Sequence, residues 1–133
     1  MNDLTKLEKF AQRYAEAWCS QDPEKVAAFF AEKGSLSINN GPPAVGRAAI
    51  AREAQAFMTA FPDMIVTFDK LEPCGDQAAF HWTLTGTRAG TGNHVRISGY
   101  ELWKINNAGL IAESSGHFDA AEYERQLKVA VEL

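Results

Sequence analysis

The stretch AFHWTLTGTRAGTGNHVRISGYELWKI, residues 79–105, contains the pattern that decides the fold. In its first part Phe80, Trp82 and Leu84 fall on one face of an extended chain, and His81 falls among the polar residues of the other. After the Gly-rich segment AGTGN, alternation resumes and continues to Ile105. Alternation with a period of two on both sides of a turn predicts a pair of antiparallel strands.

The segments around this hairpin extend the sheet and add helices. Strands are predicted at 35–38 and 64–71, with a last one in LIAESSGHF, followed by a closing helix at 120–131. Helical spacing predicts a first helix from Leu4 to Trp18 and a third at 47–60. In SQDPEK, Asp22 is the expected N-cap of a short second helix. Its buried stripe is predicted to include Val26, Phe29 and Phe30, and Gly34 is expected to end it.

Length and composition favour one folded domain over residues 1–133. The chain is 46% hydrophobic and 11% aromatic, enough for a substantial core or an apolar pocket. Its net charge of −4 and scattered basic residues argue against nucleic acid as a partner. The polar start MNDLTKLEKF and the absence of a long apolar run argue against a secretory signal or a membrane span, so a cytoplasmic protein is expected.

The layout resembles the SnoaL-like polyketide cyclases within the NTF2-like superfamily. The similarity rests on AWCSQDPEKVAAFFAEKGSL, on VGRAAI and FPDM around the third helix, on WTLTGTRAGTG, and on the ending GLIAESSGHFDAAEYERQL. It implies an α+β cone, in which three N-terminal helices pack on a bent, mainly antiparallel sheet. It also implies a homodimer formed through the outer face of that sheet.

The resemblance also suggests where chemistry could lie. An Asp at the position of Asp119 acts as acid or base in the cyclases, and His117 falls on the same strand face two residues earlier. A first-helix Tyr, here Tyr14, donates to the developing enolate in related ketosteroid isomerases. Purely structural roles stay open as alternatives. Asp119 is a good N-cap for the closing helix, His117 could lie at the rim where the chain leaves the sheet, and Tyr14 could be a core residue.

Two functions from different classes are compatible with these residues. One is a cofactor-free cyclase or isomerase that uses acid/base chemistry on a hydrophobic carbonyl substrate. The other is a non-catalytic binding module for a small apolar ligand. In both cases the candidate substrate-binding residues are Trp18, Phe30, Asn39, Met58, Phe61, Trp82 and Trp103.

Several mechanisms are disfavoured by what the sequence lacks. The three His and two Cys have no close ligand spacing, so neither a metal nor a cofactor is expected. Ketosteroid isomerases place a carboxylate base after the first short strand, where this chain has Asn39. No acidic residue occurs between Glu32 and Glu53, which argues against steroid isomerisation by that mechanism.

Overall fold

The computed structural model describes residues 3–129, which form four helices and six strands. The helices are α1 (Asp3–Cys19), α2 (Pro23–Ala27), α3 (Arg47–Ala60) and α4 (Ala120–Lys128). The strands are β1 (Phe30–Ile38), β2 (Ala44–Val45), β3 (Ile65–Cys74), β4 (Gln77–Thr87), β5 (His94–Ile105) and β6 (Ile111–Phe118). The last four strands follow one another along the chain, as the alternation pattern predicts.

All six strands belong to one mixed sheet with the order β2-β1-β6-β5-β4-β3. Neighbouring strands are antiparallel except for β1 and β6, which run parallel. The predicted α+β class is confirmed, but three helices do not precede the whole sheet: β1 and β2 lie between α2 and α3. The single parallel pair brings an early strand beside the last one and so joins the two halves of the chain.

The second helix is shorter than the sequence predicts. It starts with Pro23 after the expected cap, Asp22, whose side chain accepts a hydrogen bond from the Glu24 N–H at 3.0 Å. It ends at Ala27, and Phe30 already belongs to β1, where it pairs with Ile111 of β6. Val26 is buried in α2 as predicted. The helical assignment of Phe29 and Phe30 and the predicted stop at Gly34 are wrong, because pairing with a distant strand overrides the local helical pattern.

The alternation in β4 and β5 produces an apolar inner face. Phe80 and Trp103 are buried on adjacent strands, and their rings stack with centroids 4.9 Å apart. Gly99 permits a close approach at this point: a Cβ atom there would overlap the His117 carbonyl oxygen and lie 2.7 Å from the Trp82 ring. A residue with a side chain could not occupy this part of β5 without moving the neighbouring strand.

Helix α4 closes one end of the inner face although none of its described residues is fully buried. The Gln126 side chain accepts from the Arg96 N–H at 2.8 Å and donates to the Arg96 carbonyl at 2.8 Å, so it pairs with β5 much as a strand would. Asn93 donates to the carbonyl oxygens of Gln126 and Val129. Polar side chains thus hold α4 against the sheet. The predicted end of this helix, at 131, lies outside the described residues.

Candidate active site in the cone

A cavity of about 70 Å³ lies between the inner face of the sheet and the helices. Trp18 of α1 and Phe57 of α3 form part of its wall, the sheet contributes Trp82 and Ile97, and Tyr123 of α4 closes one side. The other lining residues are apolar as well, apart from Glu101. One carboxyl group therefore borders an otherwise apolar space.

Glu101 lies on the inner face because β5 alternates. Its side chain points to the same side as that of Trp103, two residues further along the strand, and Gly116 is its partner on β6. The two are in close proximity: a Cβ atom at Gly116 would be in van der Waals contact with Glu101 Cγ, at 3.7 Å. Glu101 is only 7% exposed, which is unusual for a residue that carries a charge at neutral pH.

Three buried donors converge on one oxygen of this carboxyl group. The Tyr14 hydroxyl donates to Glu101 Oε1 at 2.9 Å, the Trp103 indole N–H at 3.1 Å and the Ser114 hydroxyl at 2.8 Å. They come from α1, β5 and β6, so the cluster forms only when helix and sheet pack together. The other oxygen, Oε2, takes part in none of these three bonds.

Burial shifts the proton affinity of both acidic members of the cluster. It raises the pKa of the Glu101 carboxyl above the usual glutamate value, although the hydrogen bonds from Trp103, Ser114 and Tyr14 act in the opposite direction. Burial, followed by the nearby charge of Glu101, raises the pKa of Tyr14 well above its usual range. Tyr14 therefore keeps its proton and acts as a donor. A carboxylate that holds a proton more tightly than usual is also the stronger base.

Trp18 contributes its aromatic ring, and not an accessible N–H, to the wall of the cavity. Its indole N–H is buried and has no hydrogen-bond partner within residues 3–129. It lies close enough to the Tyr14 hydroxyl to lower the pKa of that group, against the larger effects that raise it, but without the alignment of a hydrogen bond.

The residues predicted to bind substrate separate into three groups. Trp18, Phe61 and Trp82 do line the cavity. Phe30 and Met58 are buried in the core but do not line the cavity, and Trp103 holds Glu101 rather than contacting the space. Tyr14 is likewise a partner of Glu101 instead of a wall residue.

Asp119, His117 and Asn39 lie outside the cone, so the prediction that Asp119 points inward is wrong. Asp119 is exposed, and its Oδ1 accepts from the Glu122 N–H at 3.1 Å, which makes it the N-cap of α4. His117 packs against Tyr100 with ring centroids 5.0 Å apart. All three residues border an open depression on the outer side of β5 and β6. A strand face shared by His117 and Asp119 is present, but it is the outer one.

The central acid, Glu101, was missed in reading the sequence. Its signal lies in ISGYELWKI, where the positions of Ile97, Gly99, Glu101 and Trp103 share one strand face. An acidic residue on a strand face that otherwise carries buried apolar residues has two explanations. Either the predicted face is wrong, or the carboxyl group is functional. The same alternation that placed Trp82 inside could have identified it.

The described part of the chain contains few other features that suggest chemistry. Within residues 3–129 no three His, Cys, Asp or Glu side chains come together as metal ligands. None of the helices over the same range combines the length and apolarity needed to cross a membrane. The Glu101 cluster and its cavity thus form the candidate site.

The fold and the buried acid at the cavity wall are those of a small α+β protein with a pocket. The sequence identifies the family. Residues 11–114 match the SnoaL-like domain family, and the chain belongs to it. Solved structures with a ketosteroid isomerase-like fold and of an NTF2-like protein show that the fold is NTF2-like, as the resemblance implied. The sequence has no match among curated proteins.

Three solved structures show the same fold at low sequence identity. A candidate SnoaL-like polyketide cyclase from Jannaschia sp. CCS1 is 16% identical, with a TM-score of 0.84 and 98% of both chains covered. A candidate polyketide cyclase from Xanthomonas campestris pv. campestris is 20% identical, with a TM-score of 0.82, and the similarity covers 96% of this chain and 100% of that one. SalBIII, an epoxide hydrolase/cyclase-like enzyme with a role in pyran ring formation in the polyether salinomycin, is 16% identical, with a TM-score of 0.79 and coverage of 92% and 97%.

Proposed function

We propose that this protein is an acid/base enzyme of the cyclase or isomerase type, acting on a compact apolar carbonyl compound with Glu101 as the group that transfers the proton. The observation that carries the proposal is the convergence of three donors on one oxygen of a buried carboxyl group at the wall of an apolar cavity. Glu101 takes the role that the sequence suggested for Asp119.

The two oxygens of the Glu101 carboxyl group have different roles, because only one of them receives the three hydrogen bonds. Oε1 is held by Tyr14, Trp103 and Ser114, which fixes the orientation of the group. Oε2 would then accept the proton from the carbon next to the substrate carbonyl, leaving an enolate. Returning that proton to another carbon gives isomerisation. If the enolate carbon first attacks a second carbonyl in the same molecule, the proton goes to the new alkoxide and a ring is closed.

The apolar surroundings of Glu101 favour proton transfer to its carboxylate. In an apolar environment the charged form of Glu101 is destabilised relative to water, so the carboxylate gains from taking a proton. Ring formation is also the chemistry named for SalBIII and for the candidate cyclases with this fold. Those names describe other proteins, and their support here is by analogy.

The size of the cavity restricts the substrate. An engineered apolar cavity of about 150 Å³ holds benzene, whereas this one measures about 70 Å³. It accommodates a small molecule or the reacting end of a longer one. A bulkier substrate requires movement at the α4 side of the wall, where Phe118 and Tyr123 pack edge to face with ring centroids 5.8 Å apart.

Hydrogen–deuterium exchange at carbon tests the proposal without knowledge of the natural substrate. Acetone, the smallest ketone, exchanges the hydrogens next to its carbonyl in D₂O when a base removes them, and NMR follows the loss of signal. We expect the protein to accelerate exchange and Glu101→Gln to lower the accelerated rate by about 10²–10⁴-fold, since this is the usual effect of a general base. Gln keeps an acceptor for the three donors, so the fold should persist.

Glu113→Gln is the matched control for this experiment. Glu113 is an exposed residue of β6 whose carboxylate lies 3.4 Å from Lys104 Nζ, and it does not line the cavity. Its replacement removes the same charge elsewhere and should leave exchange unchanged. Full activity in Glu101→Gln would contradict the proposed role of Glu101.

The second candidate, a binding module for a small apolar ligand, is favoured by one feature of the wall. Apart from Glu101 the lining is apolar, and that carboxyl group is already engaged by three donors, as a purely structural acid would be. This function predicts saturable binding of apolar molecules with no acceleration of exchange, and nearly equal binding to Glu101→Gln. Binding without exchange in the wild-type protein would therefore favour the module over the enzyme.

A homodimer through the outer face of the sheet stays a prediction. On that face Tyr100 is 38% exposed and lies between His81 and His117, with ring centroids 5.7 and 5.0 Å away. The predicted contact residues are His81, Thr83, Thr85, Arg96 and Tyr100. Light scattering at micromolar concentration should give twice the chain mass, and Tyr100→Asp should lower it; the monomer mass for the wild type would contradict the prediction.

A further inference from the structure

Glu101 is a buried acid that the protein does not pair with a positive charge. Glutamate residues are rarely buried this fully unless a cation balances them. The ion pairs within residues 3–129 involve other acids, Glu72, Glu113 and Glu122, all of which are at least a third exposed. Over the same residues no Lys, Arg or His lines the cavity. A counter-charge for Glu101 would therefore come from a ligand.

The free oxygen of this carboxyl group is accessible from the cavity. Oε1 receives the hydrogen bonds from Tyr14, Trp103 and Ser114, and no hydrogen bond within residues 3–129 ends on Oε2. Oε2 is nevertheless not among the buried atoms of that range that are both unpaired and closed to solvent. Since Glu101 lines the cavity, the accessible surface of Oε2 faces that space.

The rest of the wall suits a cation of low polarity. Half of the residues that line the cavity are aromatic. Among them Trp82, Phe118 and Tyr123 form a continuous group, with edge-to-face contacts at centroid distances of 6.1 and 5.8 Å. The face of an aromatic ring attracts a nearby cation, and the attraction is stronger where water is excluded. Such a wall stabilises a positive charge without a second acid.

A metal ion does not fit the same space. Ca²⁺ and Mg²⁺ require several oxygen ligands, and the cavity offers one free carboxylate oxygen. No three His, Cys, Asp or Glu side chains of residues 3–129 come together as metal ligands. An ammonium ion that carries alkyl groups has different needs, because one acceptor and an apolar surround are sufficient.

We infer that the cavity binds a compact alkylammonium ion, with an N–H donating to Glu101 Oε2 and the alkyl groups lying against the aromatic wall. The inference rests on the cavity and on the unpaired acid, not on proton transfer at carbon. In the proposed enzyme such an ion would compete with the ketone for Glu101. In a binding module it would be the ligand itself.

The affinity for an alkylammonium ion should depend on pH. Burial raises the pKa of Glu101, and the ion pairs with the ionised carboxylate, so its affinity should rise with pH up to that pKa and then level off. The ion itself stays charged, as Lys does, to about pH 10. The other titratable residues that face Glu101 are Tyr14, which keeps its proton, and Tyr123 on the far wall.

The first test uses the unmodified protein and two ligands of nearly equal shape, isopropylammonium and isopropanol. Both have as many heavy atoms as acetone, and only the first is charged. NMR titration should show isopropylammonium binding that strengthens by about tenfold for each pH unit below the pKa of Glu101. Isopropanol binding should be weaker and nearly independent of pH, since a hydroxyl group can pair with either form of the acid.

Glu101→Gln removes the charge and keeps an acceptor for the three donors. Above the pKa of Glu101 it should weaken isopropylammonium binding by about 10–100-fold, the value of a hydrogen bond to a charged group, and abolish the pH dependence. Isopropanol binding should change by less than about threefold. Glu113→Gln is the matched control, because it removes an exposed charge that does not border the cavity. It should leave both ligands unaffected.

Trp82→Leu tests the aromatic wall separately from the acid. Trp82 lines the cavity, and Leu keeps an apolar side chain without a ring. The variant should weaken isopropylammonium binding by about 2–5-fold more than isopropanol binding, as expected for one cation–π contact. Equal losses for the two ligands would contradict the role of the ring.

The outcomes separate this inference from the proposed enzyme. Equal binding of the two ligands by the wild type, an isopropylammonium affinity that is flat with pH, or unchanged affinity in Glu101→Gln would each overturn the inference. Acetone exchange that depends on Glu101 in a protein without ammonium binding would leave the enzyme standing. Conversely, saturable isopropylammonium binding without acetone exchange would support the cation site and contradict the proposed enzyme.

Discussion

Glu101 lies on the inner face of the sheet, and Asp119 lies on the outer side where β6 ends. Both carry a carboxyl group, but they differ in burial and in hydrogen bonding. Glu101 is 7% exposed and receives three hydrogen bonds from side chains, two of which belong to other elements, α1 and β6. Asp119 is exposed and accepts from a backbone N–H three residues away. The first borders the cavity, and the second begins α4.

This difference shows that environment, rather than residue type or neighbours in sequence, distinguishes a candidate catalytic acid here. A carboxyl group that caps a helix in water satisfies a local backbone need. A carboxyl group buried among donors has a shifted proton affinity and a fixed orientation, both of which proton transfer requires. Four predictions follow from comparing the two acids, in order of decreasing effect on stability or proton affinity.

The largest effect is expected from Glu101→Ala. Removing the acid leaves the Tyr14, Trp103 and Ser114 donors buried without an acceptor, which is partly offset because a buried charge is also removed. We expect a loss of about 2–4 kcal/mol in the free energy of unfolding, measured by urea denaturation. Glu113→Ala, on the exposed side, should change it by no more than about 0.5 kcal/mol. Equal losses would mean that the buried cluster does not stabilise the fold.

Tyr14→Phe should have a smaller effect, because one donor is lost and Glu101 keeps two. We expect a loss of about 1 kcal/mol in unfolding free energy. The pKa of Glu101 should rise further, since the Tyr14 hydrogen bond stabilises the carboxylate. NMR titration of the Glu101 side chain measures this shift. A pKa that falls in Tyr14→Phe would show that the hydroxyl does not act as the donor.

The free energy of unfolding should depend on pH because Glu101 has different pKa values in the folded and unfolded states. Its pKa is raised in the folded state above the ordinary value of 4.5, so the folded protein holds this proton more tightly than the unfolded chain. Its contribution is therefore greatest below pH 4.5 and is lost as the pH rises through the raised pKa. Wild type should lose stability relative to Glu101→Gln over that interval, measured by urea denaturation at several pH values.

Two surface acids make the stability depend on pH in the opposite direction. Their effects should cancel when wild type is compared with Glu101→Gln. Hydrogen bonds from Thr87 lower the pKa of Asp63, and those from Arg125 and Gln126 lower the pKa of Glu122 to about 2. Their contribution is lost as the pH falls below the ordinary values. Both residues are present in wild type and in Glu101→Gln. A difference between the two proteins that is flat with pH would contradict the raised pKa of Glu101.

The smallest effect is expected at Asp119. Asp119→Asn should leave both acetone exchange and stability nearly unchanged, because Asn is as good an N-cap as Asp, while Asp119→Ala should cost about 1 kcal/mol. Circular dichroism and urea denaturation of the two variants provide the comparison. A large loss of exchange in Asp119→Asn, with stability intact, would restore the catalytic hypothesis for the outer face.

Much of the fold could be predicted because its signals are local. The bounds of α3 and β5 agree with the sequence prediction, since helical spacing ended by Pro62 and a long alternation after a Gly-rich turn need no distant partner. The N-cap alternative for Asp119 is confirmed for the same reason. Phe30 was predicted wrongly because its strand exists only through pairing with β6.

The sequence by itself determined the α+β class, the helices and hairpins, and the supply of aromatic side chains for an apolar interior. It also determined which residues of β4 and β5 share a face, because side-chain direction alternates along any strand. Only the tertiary structure decided between the two readings of Asp119, and only it brought Glu101 to Tyr14, 87 positions away. The convergence of donors arises from packing between segments, and no local pattern in the chain encodes it.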